Sequence, residues 1–131
     1  MNPLLTLTAV IEMGTGLVLV ASPPLLAALL LGSSVDAPAA LTVGRVAGAA
    51  LIALGVACWL ARHEGRSRAA TGLVAAMLLY NLAVVAILAS AGIGYGLGGG
   101  VLWSAVVLHA AMAVWCIACL RSKRVYAGGY R

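Results

Sequence analysis

The sequence contains no phenylalanine and very few charged residues: eight Lys and Arg, three Asp and Glu, in a chain of 131 residues. Charged residues make up 8% of the chain, whereas a soluble domain carries about 25%. Hydrophobic residues make up 64%. Water would solvate such a surface poorly, so the composition indicates a membrane protein and excludes an ordinary soluble domain.

A basic surface for nucleic acid is also missing. The net charge of +5 comes from residues in short segments beside apolar runs. This distribution is typical of membrane topology, not of a surface that follows phosphates, and we expect no nucleic-acid partner. No Lys or Arg precedes the first apolar run, and Glu12 interrupts it, so a signal peptide is not expected either.

Four apolar stretches are present, at about 3–22, 40–61, 69–91 and 100–120. About 20 apolar residues suffice for a helix to cross the ~30 Å hydrocarbon core of a bilayer. A barrel would need many more strands, each with alternating polarity. The sequence therefore predicts an all-α integral membrane protein, a four-helix bundle that forms a single domain over residues 1–131.

The connections between the apolar stretches differ in character. Pro23 and Pro24 should end the first helix, leaving Leu25–Leu31 at the interface or folded back as a short helix. Asp36 is placed to cap the second long helix ahead of Pro38. Residues 92–100 are rich in glycine and uncharged, which predicts a flexible loop at the membrane edge.

Seven of the eight basic residues lie on one side of the predicted helices. They are Arg62, Arg66, Arg68, Arg121, Lys123, Arg124 and Arg131. The positive-inside rule therefore predicts that both termini are cytoplasmic. Arginine outnumbers lysine seven to one, as in GC-rich bacterial genomes, and we expect a multi-pass protein of a bacterial inner (plasma) membrane, surrounded by membrane lipid.

Each apolar stretch contains one strongly polar residue: Glu12, Arg45, Asn81 and His109. At ~1.5 Å rise per residue, all four fall within one layer near the middle of the membrane. Intramembrane charges are tolerated where they pair or line a wet cavity. We therefore expect an ion pair between Glu12 and Arg45, and a mid-membrane cavity surrounded by the four side chains, with Tyr80 as an additional donor.

This constellation supports three functional hypotheses. The first is a buried polar pocket for a small or lipid-like ligand, in which Glu12 and His109 carry acid–base chemistry while Arg45, Tyr80 and Asn81 bind the ligand. The second is an accessory or assembly subunit of a larger membrane complex, in which the polar residues only hold helices together. The third is a proton-coupled small transporter that acts as a homo-oligomer. The residues name no enzyme class and no cofactor.

Two further patterns favour packing over chemistry. His109 shares a helical face with Met112 and Cys116, but the other histidine, His63, lies in a charged connection. We therefore expect neither a metal site nor a bis-histidine haem. The cysteines lie within apolar runs, where packing is the simpler role; they are Cys58, Cys116 and Cys119.

Small residues recur on one face of the second long helix. Gly44 and Gly48 form a GxxxG motif, and Gly55 continues the same face. Such a face permits close helix contact, within the chain or between protomers.

Two resemblances add to these expectations. Glu12, soon after the opening Met1-Asn2-Pro3, resembles the proton- and cation-binding carboxylate on the first helix of the small multidrug resistance transporters. That family's cation-binding aromatic residues on helices two and three are missing here. Over most of the chain, the segments Gly44–Gly48, Leu79–Asn81 and Leu108–Ala110 resemble a group of uncharacterised small bacterial membrane proteins, which implies four helices and no particular activity.

Overall fold

The structure is a computed structural model that describes residues 2–64 and 67–127. Over these residues the chain is all-α, with five helices: α1 (Pro3–Ala21), α2 (Pro23–Leu31), α3 (Pro38–Ala61), α4 (Arg68–Gly94) and α5 (Leu102–Ala127). All but α2 are long and apolar enough to cross a membrane, by length and composition. The predicted all-α class and the four helices long and apolar enough to cross a membrane are therefore confirmed, although α4 continues three residues beyond the expected end at residue 91.

The expected break after the first helix is present. The backbone of Ser22 departs from helical geometry (φ −148°, ψ 80°), which ends α1. Pro23 and Pro24 then occupy the first two positions of α2, where the missing N–H groups would have had no helical partner in any case. The two prolines thus begin the short helix predicted over residues 25–31.

The predicted capping role of Asp36 is wrong. The N-cap of α3 is Ala37, which offers no side-chain acceptor. The Asp36 carboxylate instead accepts a hydrogen bond from the Ser34 hydroxyl at 3.0 Å. A short polar side chain in a turn commonly bonds a near neighbour in this way, in competition with capping.

Helices α1 and α3 pack antiparallel with their backbones in direct contact. A Cβ atom built on Gly16 would lie 2.6 Å from the Gly48 carbonyl oxygen, and one on Gly48 would lie 2.8 Å from the Gly16 oxygen. Farther along, Gly55 packs against Ala9 and Met13 of α1. The glycine face predicted from the GxxxG motif is therefore used within the chain, against α1.

Helices α4 and α5 form the second antiparallel pair, joined by the glycine-rich segment. That segment was expected to be a flexible loop, but its backbone bonds to α2. The N–H of Gly99 donates to the Leu30 carbonyl at 3.0 Å, and the N–H of Val101 donates to that of Leu29 at 3.2 Å. These bonds satisfy carbonyls at the end of α2 that have no partner in the helix. A side chain at Gly99 would overlap the Leu29 carbonyl.

An apolar core joins the two pairs. Its buried members come from α1, α3, α4 and α5: Leu4, Leu5, Ala9, Cys58, Val74, Met77, Met112 and Cys116. All three cysteines are free thiols. Cys58 and Cys116 are fully enclosed by this core, consistent with the packing role expected for them.

Candidate functional site

The polar residues of α1 project toward the second helix pair. Glu12 precedes Met13, which packs against α3. Glu12 is rotated by about 100° from Met13 but by only about 60° from Ala9, which also contacts Gly55, so its side chain lies at the edge of the α1–α3 contact. Thr8 lies one turn earlier on the same face as Glu12. Both side chains are nearly inaccessible, with exposures of 1% for Thr8 and 3% for Glu12.

A hydrogen bond connects the two pairs beside this face. The Tyr80 hydroxyl of α4 donates to Oε2 of Glu12 at 3.0 Å. The other carboxylate oxygen, Oε1, makes no hydrogen bond with the described residues. One of the two carboxylate oxygens is therefore available to a further donor.

The second polar contact lies within the α4–α5 pair. Nδ1 of His109 is 2.8 Å from Oδ1 of Asn81, and the Asn81 amide nitrogen donates to the Met77 carbonyl at 2.7 Å. Because the Asn81 oxygen is the acceptor, the proton must lie on Nδ1 of His109. Nε2 of the ring has no hydrogen-bond partner among the described residues.

The two contacts adjoin each other. The Tyr80 and His109 rings meet edge to face, with centroids 5.8 Å apart and planes at 77°. We call the group of Glu12, Tyr80, Asn81 and His109 the polar seam. Four of the five residues expected at the site from the sequence are thus brought together.

Arg45 is the exception, and the expected ion pair with Glu12 is wrong. Arg45 lies on the exposed surface of α3 and makes no hydrogen bond or ion pair with the described residues. The side of α3 that faces α1 is taken by Gly48 and Gly55. Arg45 is also rotated by about 140° from Cys58, which faces the core. Similar depth in the membrane did not imply a shared helix face.

The expected open cavity is also not observed. A crevice adjoins the polar seam, but no space within it is wide enough for a water molecule. Its walls are Thr8, Ile11, Glu12, Asn81, Leu108, His109 and Met112. The polar side chains therefore meet in a closed and dry arrangement.

Thr8 is a site residue that the sequence reasoning missed. Its Oγ1 atom is buried and has no hydrogen-bond partner in the described part of the chain. A buried hydroxyl without a partner costs about 1–3 kcal/mol. The signal available in the sequence was its i, i+4 spacing from Glu12, which places both residues on one face.

An apolar groove lies beside the crevice on α5. It is open and measures about 600 Å³, and its walls are Trp103, Ser104, Val107, Leu108 and Ala111. Leu108 belongs to the walls of both the groove and the crevice. The buried polar site and the apolar outer surface of α5 are therefore separated by one side chain.

The chemistry available at the seam is acid–base and hydrogen-bonding chemistry. Among the described residues, no group of three or more His, Cys, Asp and Glu side chains is placed to hold a metal ion. Glu12 and His109 each keep one free position for exchanging a proton or binding a polar group.

No protein-family model, curated protein or solved structure matches the chain. Its function has to be argued from the geometry and chemistry of these residues alone.

Proposed function

We propose that this chain is a multi-pass protein of a bacterial inner membrane, a four-helix bundle that binds a small or lipid-like ligand at the polar seam. Glu12 and His109 act as the acid–base pair, and Tyr80 and Asn81 orient them. Thr8 replaces Arg45 as the additional ligand-binding group.

The buried Thr8 hydroxyl is the single observation that carries this proposal. Polar side chains that serve only to hold membrane helices together satisfy one another. Here the Thr8 hydroxyl has no partner and faces the same crevice as Glu12 and His109. Each of these three residues has unused hydrogen-bonding capacity, so a ligand between them gains several hydrogen bonds without breaking the Glu12–Tyr80 or Asn81–His109 contacts.

The roles follow from the hydrogen bonds. Tyr80 holds Oε2 of Glu12, which leaves Oε1 directed to a ligand. Asn81 holds Nδ1 of His109 and so fixes the ring with Nε2 free to accept a proton. Ligand entry must widen the crevice, which requires α1 to move slightly away from α4 and α5.

Mass spectrometry of co-purified molecules tests this function. The wild-type protein is purified without delipidation and compared with Glu12→Gln. The matched control is Glu64→Gln, since Glu64 is exposed and, among the described residues, its side chain bonds Ser67 alone. A bound species should be present in the wild type and in the control. It should fall about tenfold in Glu12→Gln, as expected for loss of a charged hydrogen bond.

The result that defeats the proposal is an identical set of bound molecules in all three proteins. Because Glu12→Gln can also weaken folding, Thr8→Val is tested in parallel. This change removes only the hydroxyl that has no partner, so the fold should persist while the bound species is reduced.

An accessory subunit is the second candidate, and the dry crevice favours it. In that case the seam is a purely cohesive contact between helix pairs. Glu12→Gln would then lower thermal stability without changing any bound molecule, and the protein would co-purify with other membrane subunits.

We further propose that both termini are cytoplasmic, because the segments 32–37 and 95–101 contain no Lys or Arg. Cysteines introduced at Ser34 and His63 test this topology, since both residues are exposed at connections. His63 is preferred to Ser67, whose hydroxyl accepts a hydrogen bond from the Ala70 N–H at the start of α4. An impermeant thiol reagent should label position 34 from the periplasm and position 63 only after lysis. The opposite pattern contradicts the orientation.

A further inference from the structure

Leu108 lies between the polar crevice and the apolar groove of α5. On one side it borders the closed polar crevice, and on the other it borders the open groove of α5. Its side chain is 40% exposed, so the part outside the crevice can reach lipid. The barrier between a buried polar site and the acyl chains of the bilayer is therefore a single leucine.

We propose that the crevice and the groove form one site for a single-chain amphiphile with an uncharged, hydroxyl-bearing head. The head occupies the crevice, the chain lies in the groove, and the molecule enters sideways from the membrane past Leu108. This inference rests on the proposed function and names the class of its ligand.

The free hydrogen-bonding positions select the head. The Thr8 hydroxyl needs an acceptor for its hydrogen, whereas Oε1 of Glu12 and Nε2 of His109 need donors. A hydroxyl group both donates and accepts. An ammonium head offers no acceptor to Thr8, and a carboxylate or phosphate head offers no donor to Oε1 of Glu12 or Nε2 of His109. No Lys or Arg lines the crevice or the groove to hold an anion.

The groove accommodates the chain. Ser104, Val107, Leu108 and Ala111 follow the i, i+3, i+4, i+7 spacing of one helix face, and Trp103 stands at the end nearest the start of α5. The walls run for about 12 Å along α5. An acyl chain along this face would remain in contact with the bilayer, so the site needs to bury only the head.

Besides the small shift of α1, entry past the narrowest point requires flexible side chains to move. Leu108 and Met112 are the apolar walls of the crevice on α5. Methionine adapts its shape easily, and a half-exposed leucine changes rotamer at low cost. A bulky ring at position 108 should close the route, and a methyl group should open it.

A photoreactive monoacylglycerol, with a diazirine in mid-chain, tests the proposal in phosphatidylcholine nanodiscs. The wild type should be labelled between residues 103 and 111, and unlabelled monoacylglycerol should compete. Labelling should fall about fivefold in Thr8→Val, the effect of one hydrogen bond of ~1 kcal/mol. Labelling should fall further in Leu108→Trp and rise in Leu108→Ala. The matched control is Val114→Trp, an exposed position of α5 outside both walls, which should label like the wild type.

Two results would overturn the inference. One is labelling that does not change in Thr8→Val, Leu108→Trp and Leu108→Ala. The other is stronger labelling by an amine or fatty acid of the same chain length than by the monoacylglycerol. If the Glu12-dependent species found by mass spectrometry is water-soluble, this inference fails and the proposed function stands. If no such species exists, the proposed function itself fails.

Discussion

The contact between α1 and α3 differs in kind from the contact between α1 and the α4–α5 pair. The first joins backbone to backbone through Gly16, Gly48 and Gly55. The second joins longer side chains and includes the hydrogen bond between Glu12 and Tyr80. Gly16 of α1 lies against the backbone of α3, whereas Glu12, about 40° away around the helix, and Thr8, about 80° away, lie at the side of this contact that is nearer to α4 and α5.

This difference indicates which contact can open. Where two helix backbones touch at glycines, any separation of the helices breaks the packing, because glycine has no side chain that could fill the gap. Side chains across the polar seam can reorient, and a ligand can bond to the positions of Glu12 and His109 that the seam leaves free. We therefore expect α1 and α3 to move as one unit, and the seam to be the place where the protein responds to a ligand.

The largest effect should come from breaking the glycine contact. Gly48→Leu places a side chain against the Gly16 carbonyl and the backbone of Val20. Overpacking typically costs about 1–3 kcal/mol. We expect the upper end of this range, because the new side chain meets backbone atoms of α1 that cannot move aside as a flexible side chain could. Thermal unfolding in detergent, followed by circular dichroism, should show a greatly lowered Tm. Gly14→Ala is the matched control, since a Cβ there meets nothing within 4 Å; an equal loss in both variants would contradict the distinction.

An intermediate effect is expected at the seam itself. Tyr80→Phe removes only the hydroxyl that bonds Glu12, which should cost about 1.5–3 kcal/mol if the carboxyl is charged and about 1 kcal/mol if it is neutral. In a double-mutant cycle with Glu12→Gln, the two losses should be non-additive by at least ~0.5 kcal/mol. Additive losses would mean that the two side chains do not touch.

The contact between Asn81 and His109 should behave differently from the Glu12–Tyr80 bond, since it lies within one helix pair. His109→Phe keeps a ring beside Tyr80 but leaves the buried Asn81 oxygen without a partner, at a cost of about 1–3 kcal/mol. Cross-linking of cysteines placed on α4 and α5 should nevertheless remain as efficient as in the wild type. Loss of that cross-linking would show that the bond holds the pair together.

The smallest effect is expected at Arg45. Because this residue is exposed and unpaired within the described chain, Arg45→Gln should change the unfolding free energy by less than ~0.5 kcal/mol. In the double variant with Glu12→Gln, the two changes in unfolding free energy should add within about 0.5 kcal/mol. If Arg45→Gln instead recovered the stability lost in Glu12→Gln, this result would support the ion pair expected from the sequence.

Much of the fold was predictable because apolar length and prolines are local signals. The four apolar helices follow from composition, and the Pro23-Pro24 pair predicted the end of α1. The capping role of Asp36 was not predictable, because its carboxylate had a nearer partner in Ser34. The hydrogen bonds from residues 99–101 to α2 were not predicted either. They go to the backbone carbonyls of Leu29 and Leu30, and every residue type has such a carbonyl, so the sequence contains no signal for them.

The depth of the site residues in the membrane was predictable from the sequence, but the direction in which each side chain points was not. Helical rise correctly placed Glu12, Asn81 and His109 in one layer, but rise alone does not say which way a side chain points. The glycines of α3 determine which face meets α1, but Gly48 is only about 60° from Arg45 around the helix, so this spacing does not predict that Arg45 is exposed. Thr8 drew no attention because threonine is common in membrane helices; only its burial without a partner reveals it.

The most direct test of the central claim is a high-resolution cryo-EM structure of the wild-type protein, purified without delipidation in nanodiscs. The ligand-binding account predicts density between Thr8, Glu12 and His109, with α1 shifted away from α4 and α5 while the Gly16–Gly48 contact is unchanged. The amphiphile inference adds that this density continues past Leu108 along α5. A closed seam without density, in which Glu12 bonds only Tyr80 and His109 only Asn81, would contradict the account.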